Sequence, residues 1–451
     1  MSEKLPRLTK IIYGSGDIGF SLTGTIIGLY FLIFLTDVVH LAPAMAAIAI
    51  LVGRTWDYIN DPLIGHISDR TRSRWGRRRP FLLFGALPYA LVFIIMWLRP
   101  AWDNQAALVI YYAIAYALYD TAATFVYMPY YALTPELTED YDERTSLTSY
   151  RMFYSILGSL LAFTLPLMII GGFQPQNAPR VVLMAAIFGL ASAIPLWLVF
   201  MYTREKKEFR EQSQPKLIDS LKAAFKNKPF VFGAVVFLVT WVSFDILLAN
   251  LLYFIKYVVV REDVGVIIMG LIFIVAILTL PFWEWTSRRL NKRLAYAAGI
   301  AFWAVVQLVL ITLNASSSLI LILLLGGLAG IGIGAAHMLP WSIIPDAIEW
   351  DEYQTGERHE GMFYSLITLM QKVASSIAIP LTAVFLQITH YQPNSAQQPA
   401  SALLGIRILV GPIPALLLLV GIIFALRYPL NRNEFKKIVQ ELEIRRAKRK
   451  A

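Results

Sequence analysis

The chain has 451 residues, of which 57% are hydrophobic and only 16% charged, with a formal net charge of +10 and no cysteine. That is too apolar and too poor in charge for an ordinary soluble protein, so the composition points to a polytopic membrane protein. The lack of cysteine excludes disulfides and thiolate metal sites, and the basic residues lie in short segments between apolar runs, the pattern of cytoplasmic loops rather than of a nucleic-acid surface.

Met1 to Lys10 is short and polar, and the apolar stretch after it runs well past a signal-peptide core into Asp37 without a small-residue cleavage site, so it reads as a retained first span. Apolar windows near 20 residues recur about twelve times, at roughly 11–36, 43–66, 81–99, 106–134, 148–171, 180–203, 229–256, 263–286, 294–313, 317–345, 361–389 and 402–427. Lys4, Arg7 and Lys10, then the Arg run at 70–79, the middle loop with Arg204 to Lys228, Arg288 to Arg293, and the Arg445 to Lys450 tail make every other loop basic, while the loops between them are nearly free of positive charge. Both termini are therefore expected on the cytoplasmic side of the plasma (inner) membrane.

The one long charged segment inside the chain divides the spans six and six. The predicted architecture is an all-α membrane protein of twelve transmembrane helices: an N-terminal six-helix bundle at 1–203, a cytoplasmic linker at 204–228, a C-terminal six-helix bundle at 229–427 and a basic cytoplasmic tail at 428–451. Position-matched basic loops in the two halves suggest a parallel repeat with a substrate site between them near mid-membrane.

In the first span, Asp17 follows Tyr13-Gly14-Ser15-Gly16, small residues that permit close helix approach, and Ser21 lies one turn on. Asp17 reads either as part of a site or as an ion-pair residue near the end of the span. The second span carries Arg54-Thr55-Trp56-Asp57-Tyr58-Ile59-Asn60-Asp61-Pro62, with Asp57 and Asp61 four apart on one helical face and Arg54 on the same stripe. A charge at the bilayer centre costs about 2.5–3.5 kcal/mol on insertion scales, so both carboxylates should face the interior and have a partner. With one Arg, the pair keeps a negative excess that suits a coupling cation, Na⁺ or H⁺, and Pro62 frees a carbonyl near Tyr58 as a further oxygen. The bland alternative is an internal ion pair that only fixes helix packing.

On span four, Tyr116, Asp120, Thr124 and Tyr127 share a face. A carboxylate, hydroxyls and rings on one stripe suit a polyhydroxylated ligand, although tyrosines alone read more simply as an interfacial belt. Arg151 opens span five, and Lys372 sits inside span eleven, roughly 16–18 Å from its start, where it is expected to point inward towards a carboxylate. Asp245, Glu284 and His337 are further titratable candidates, each equally readable as packing. On the cytoplasmic side, Arg70, Arg74 and Arg77 face acidic loops that contain Asp142, Asp351 and Glu357, and such opposed charges can latch the inner face shut during alternating access.

Tyr13-Gly14-Ser15-Gly16-Asp17, Phe34-Leu35-Thr36-Asp37, Arg54 through Gly65, Arg74-Trp75-Gly76-Arg77-Arg78-Arg79-Pro80 and Pro345-Asp346 with Gly356 through Ser365 occur in order along nearly the whole chain. In this combination the chain resembles the glycoside-pentoside-hexuronide:cation symporters of the major facilitator superfamily. The resemblance implies a major facilitator fold, a cation site at Asp57, Asn60, Asp61 and Thr124, and a sugar network that includes Arg151 and Lys372. The best-known sugar-binding member carries carboxylates at the places held here by Ser21 and Tyr127, so these two positions, with Asp120 two turns from Tyr127, bear on substrate identity. The chain is also similar to the related sodium-dependent lysophospholipid symporters, in the second-span motif, at Tyr150-Arg151-Met152 and at Leu339-Pro340-Trp341-Ser342, which adds Trp341 to the substrate candidates.

The expected function is a cation-coupled importer of a glycoside or other sugar, acting as a monomer with the lipid bilayer and a small-molecule substrate as its partners. The alternatives are a lysophospholipid or other amphipathic-lipid transporter of the same fold and, in a different class, a membrane receptor that binds without translocating. No cofactor beyond the coupling ion and no nucleic-acid partner is expected. No phosphate loop, nucleophile elbow or His-Glu-x-x-His motif suggests an enzyme.

Overall fold

The computed structural model describes residues 5–138, 141–204, 224–356, 360–395, 397–430 and 432–450, and among them every regular element is a helix. In chain order these are α1 (Arg7–Ile26), α2 (Pro43–Thr55), α3 (Asp57–Arg70), α4 (Arg79–Met96), α5 (Gln105–Leu137), α6 (Tyr141–Ile170) and α7 (Ala178–Tyr202). Then come α8 (Lys228–Tyr253), α9 (Gly265–Arg289), α10 (Lys292–Leu310), α11 (Leu319–Thr355), α12 (Glu360–Ile388), α13 (Ala400–Val410), α14 (Pro412–Leu426) and α15 (Arg432–Lys450). Wider π-helical turns extend α1 at Ile27–Phe31 and Phe34–Val38, and α8 at Phe254–Val259.

Among the described residues, ten helices are long and apolar enough to cross a membrane. Two of the twelve expected spans miss that criterion for visible reasons. α1 carries Lys10, Asp17 and a run of Gly, Ser and Thr, and the second span is two short helices of 13 and 14 residues that part at Trp56. The tenth expected span, placed at 317–345, instead continues through Pro340 and Pro345 to Thr355, where Gly356 ends it in a left-handed conformation at φ 75°. Asp346, Glu349, Asp351 and Glu352 therefore sit on a helix and not, as the sequence suggested, in a loop. Likewise α6 begins at Tyr141, which puts Arg151 well inside the helix rather than at its start.

The described residues form two compact units, one from residues 1–211, 262–267 and 379–402, the other from residues 212–261, 268–378 and 403–451. In the first, α1 packs against α6 and α7, α5 against α2, α3 and α4, and α4 against α7. Small residues set the α1–α6 distance: a Cβ on Gly14 would lie 2.8 Å from Tyr150 Cβ, and one on Gly158 would lie 2.9 Å from the Ile18 carbonyl oxygen. With no hydrophobic drive between helices in lipid, such close backbone approach is what makes the contact worth forming.

In the second unit, α8 packs against α11 and α14, α10 against the same two helices, and α15 against α11. Phe230, Phe237, Ile344, Phe363 and Ile367 form the buried core where α8, α11 and α12 meet, with Trp241, Trp341 and Met370 packed at its edge. Asn227 starts α8 by accepting from the Phe230 amide at 2.9 Å, while its own side-chain amide donates to the Ala347 carbonyl, also at 2.9 Å.

Candidate functional site

The first site is built on the break between α2 and α3. The amides of Ile59 and Asn60 both donate to the Trp56 carbonyl at 3.0 Å, and Pro62 has no amide to return to Tyr58, so the backbone ladder lacks a bond in the turn after Asp57. α5 holds this break in place. Arg54 Nε donates to Tyr116 OH at 2.7 Å, Trp56 Nε1 to Thr121 Oγ1 at 2.8 Å, Asn60 Nδ2 to the Asp120 carbonyl at 3.4 Å, and Thr124 Oγ1 to Asp61 Oδ1 at 3.0 Å.

Three of the four residues named for the cation, Asn60, Asp61 and Thr124, are thus brought together against α5. Asn60 and Thr124 are buried, and Asp57 and Asp61 are half-buried. With Arg54 on α2, Asp57 and Asp61 on α3 and Asp120 on α5, the contact of α2 and α3 with α5 carries three carboxylates and one guanidinium. Carboxylate, amide, hydroxyl and freed carbonyl oxygens are hard ligands, suited to a hard monovalent cation or a proton. Tyr116 and Tyr119 are buried, not lipid-facing, and Tyr119 donates to Thr23 Oγ1 at 2.9 Å, so the interfacial-belt reading fails for both.

One turn or more away on the same unit, Arg151 Nε donates to Asp17 Oδ2 at 2.7 Å and Tyr131 OH donates to Asp17 Oδ1 at 3.0 Å. The guanidinium lies 3.8 Å from the Tyr131 ring centre, and Tyr127 meets Tyr131 edge-on at 4.0 Å. Ser21 is engaged with Ser155, their hydroxyls 2.6 Å apart. Asp17 therefore supplies the counter-charge for Arg151, and the Tyr131 hydroxyl and Ser155 join the group without any sequence signal that singled them out. Asp120 shares the α5 face with Thr124 and Tyr127, and its backbone carbonyl is the acceptor for Asn60.

The second unit carries a separate cluster. Ser375 donates a short hydrogen bond to Asp245, and Ser376 donates to the Lys372 carbonyl at 2.8 Å. Trp341 packs edge-on to Phe237 at 4.9 Å, and His337 meets Phe244 at 4.6 Å and Trp241 at 5.2 Å. Lys372 and Ser375 lie three apart on α12, so a Ser one turn from the Lys was the available clue to the Asp245 partner.

On the expected cytoplasmic side, Glu143 takes Lys10 at 2.9 Å and the Leu5 amide at 3.0 Å. Arg78 Nη1 donates to Ser68 Oγ at 2.6 Å, Arg79 Nε to the Phe200 carbonyl at 3.1 Å, and Arg74 lies over Trp75 at 4.2 Å. Asp351 is buried near the end of α11 and accepts from Thr355 through its carbonyl at 2.8 Å. Glu357 lies outside the described residues, as do the side chains of Arg70 and Asp142.

A family model for MFS/sugar transport proteins matches residues 12–432. A symporter of Synechocystis, not itself characterised, is 32% identical, with 98% of both chains covered. The sodium-dependent lysophosphatidylcholine symporter 1-A of Danio rerio is 28% identical over 97% of this chain and 88% of its own. Among solved structures, the xylose transporter of E. coli in an inward open conformation aligns with a TM-score of 0.67 at 13% identity, covering 96% of this chain and 98% of that one.

Proposed function

The chain belongs to the family of MFS/sugar transport proteins and is a multi-pass membrane symporter, not an enzyme, and on that premise we propose how it couples ion to cargo. The coupling cation binds at Asp57, Asn60, Asp61 and Thr124, and the observation that carries this reading is the Thr124–Asp61 hydrogen bond from α5 to α3. Neutralising the excess negative charge there lets the segment settle against α5, and since α5 also bears Asp120, Tyr127 and Tyr131, the same settling organises the cargo group around Arg151. Each ligand then tightens the other by the same factor. Loaded and empty carriers reorient, and the half-loaded carrier, with an uncompensated charge, does not.

The cargo is a glycoside or similar sugar, and Ser21, Asp120, Tyr127, Arg151, Trp341 and Lys372 are the side chains proposed to read its hydroxyls. Carboxylates and guanidinium bind hydroxyl pairs while rings cover the apolar sugar face. A second reading, an amphipathic lipid, is supported by the lysophosphatidylcholine symporters among the relatives and by the non-acidic residues at 21 and 127. Arg70, Arg74, Arg77, Asp142, Asp351 and Glu357 are proposed as the inner latch, with both termini cytoplasmic. A panel of glycosides and lysophospholipids tested by thermal shift, with and without Na⁺, separates the readings: a compound that raises the melting temperature more in Na⁺ than without it is cargo. Absence of any such synergy across the panel, in Na⁺ and across pH, contradicts coupled binding.

A further inference from the structure

The compact unit that contains α1 to α7 also takes in two pieces of the later chain, residues 262–267 and 379–402. Asp37, in the π-helical turns that extend α1, is fully buried, and its carboxylate Oδ1 accepts from Tyr391 OH, in the turn between α12 and α13, and from Thr36 Oγ1 at 2.9 Å. Asn394 Nδ2 donates to the Asp37 backbone carbonyl, so one turn holds both the side chain and the backbone of a single residue. That turn is shaped for the contact: His390 and Asn394 lie in the left-handed region at φ 59° and 54°, which His and Asn enter more readily than most residues. Beside it, the Ala44 amide at the start of α2 donates to Gln387 Oε1 on α12 at 3.5 Å.

A second contact has the same plan. α8 is also extended by π-helical turns, at Phe254–Val259, and the extension ends on a left-handed residue, Val260 at φ 56°, as that of α1 ends just before His40 at φ 64°. For a β-branched residue this conformation is strained and persists only where the surroundings hold it. Glu262 then reaches the turn after α6, where a Cβ on Gly172 would lie 2.9 Å from its carboxylate oxygen. α1 and α8 open the two halves expected from the sequence, and the turns that hold them precede the last span of each half, so the repeat relates the two contacts.

A carboxylate suits a contact that has to open and close. Shut away, it needs the donors that Tyr391 and Thr36 supply; once exposed, it takes water in their place, so the two states differ little in free energy. Helices bend at π-helical turns, which are frequent at functional sites, and each extension has one next to its contact. We infer that Asp37, Tyr391 and Asn394 form the outer latch of the transport cycle, fastened while the face expected outside is shut and released to water when it opens. This rests on the symport reading above and adds the counterpart, on the opposite face, of the proposed inner latch.

The natural chain has no cysteine, so spin labels can be placed by Ala101→Cys and Ala400→Cys, both at exposed positions of this unit, without removing anything. The distance between the labels is measured in lipid nanodiscs by pulsed electron resonance, without cargo or Na⁺. Tyr391→Phe keeps the ring and deletes the hydroxyl, and Asn394→Gly deletes the amide while tolerating the left-handed backbone. Each should raise the ratio of long to short distances by about tenfold, the effect of one hydrogen bond to a charged or buried acceptor, while Gln392→Ala, an exposed change in the same turn, leaves it unchanged. Thermal unfolding of each variant reports that it is folded. Unchanged distances in folded Tyr391→Phe and Asn394→Gly would overturn the inference, and so would a lowered melting temperature with unchanged distances, which would make the contact a staple for the turn alone. If the distances respond to these changes but neither Na⁺ nor pH moves them, the latch stands and the symport reading fails.

Discussion

Arg151 on α6 gives its Nε hydrogen bond to Asp17 on α1 at 2.7 Å, with only 11% and 4% of the two side chains exposed. Four residues on, the Ser21 and Ser155 hydroxyls meet at 2.6 Å. The counter-charge for Arg151 thus comes from α1, and the α1–α6 contact that small residues allow is what brings it within reach.

Removing one partner of a buried pair strands the other charge, which typically costs about 3–5 kcal/mol, whereas removing both together can be close to neutral. Asp17→Asn is therefore expected to lower the melting temperature sharply, and the double change Asp17→Asn with Arg151→Gln to recover most of it without recovering transport. Thermal unfolding of the two proteins, side by side with uptake, checks this. Equal destabilisation by the single and double changes would mean that the pair contributes no mutual compensation.

Thr124 is a neutral side chain that donates to a cation-site carboxylate, Asp61, at 3.0 Å. A hydrogen bond to a charged group contributes about 1.5–3 kcal/mol, so Thr124→Val should weaken the apparent affinity for the coupling cation by about tenfold or more, and Thr124→Ser should retain it. The concentration of cation giving half-maximal stabilisation is the readout. An unchanged value in Thr124→Val removes Thr124 from the site.

Helix approach gives a prediction with an internal control. A Cβ at Gly158 would press on the Ile18 carbonyl oxygen at 2.9 Å, whereas nothing lies within 4 Å of one at Gly24. Overpacking costs about 1–3 kcal/mol, so Gly158→Ala should lower the melting temperature while Gly24→Ala leaves it level or slightly raised. Identical behaviour of the two would show that α1 and α6 are free to separate.

Much of this was legible before any coordinates. Apolar windows of membrane-spanning length mark the helices, and the Asp57–Asp61 doublet beside Pro62 marks the irregular span, because charge and a missing amide are both costly in hydrocarbon. The end of α11 was not, since Pro345 reads as a stop in sequence while packing against neighbouring helices lets the helix run on to Thr355. The Asp17–Arg151 pair joins residues 134 apart and depends on how α1 and α6 pack, so spacing along either helix could not select it. The partners of His337 were hidden for another reason: in an apolar chain, Phe244 and Trp241, which meet the imidazole, look in sequence like any aromatic residue that fills a core.

The claim on which the rest depends is that Asp57 and Asp61 share the coupling cation. The most direct test is accumulation in proteoliposomes under an imposed sodium or pH gradient, with the tightest-binding compound of the panel as cargo, for wild type and Asp57→Asn. The predicted result is gradient-driven accumulation by wild type and none by Asp57→Asn, although the variant remains folded and inserted. Full cation-driven accumulation by Asp57→Asn would contradict the assignment.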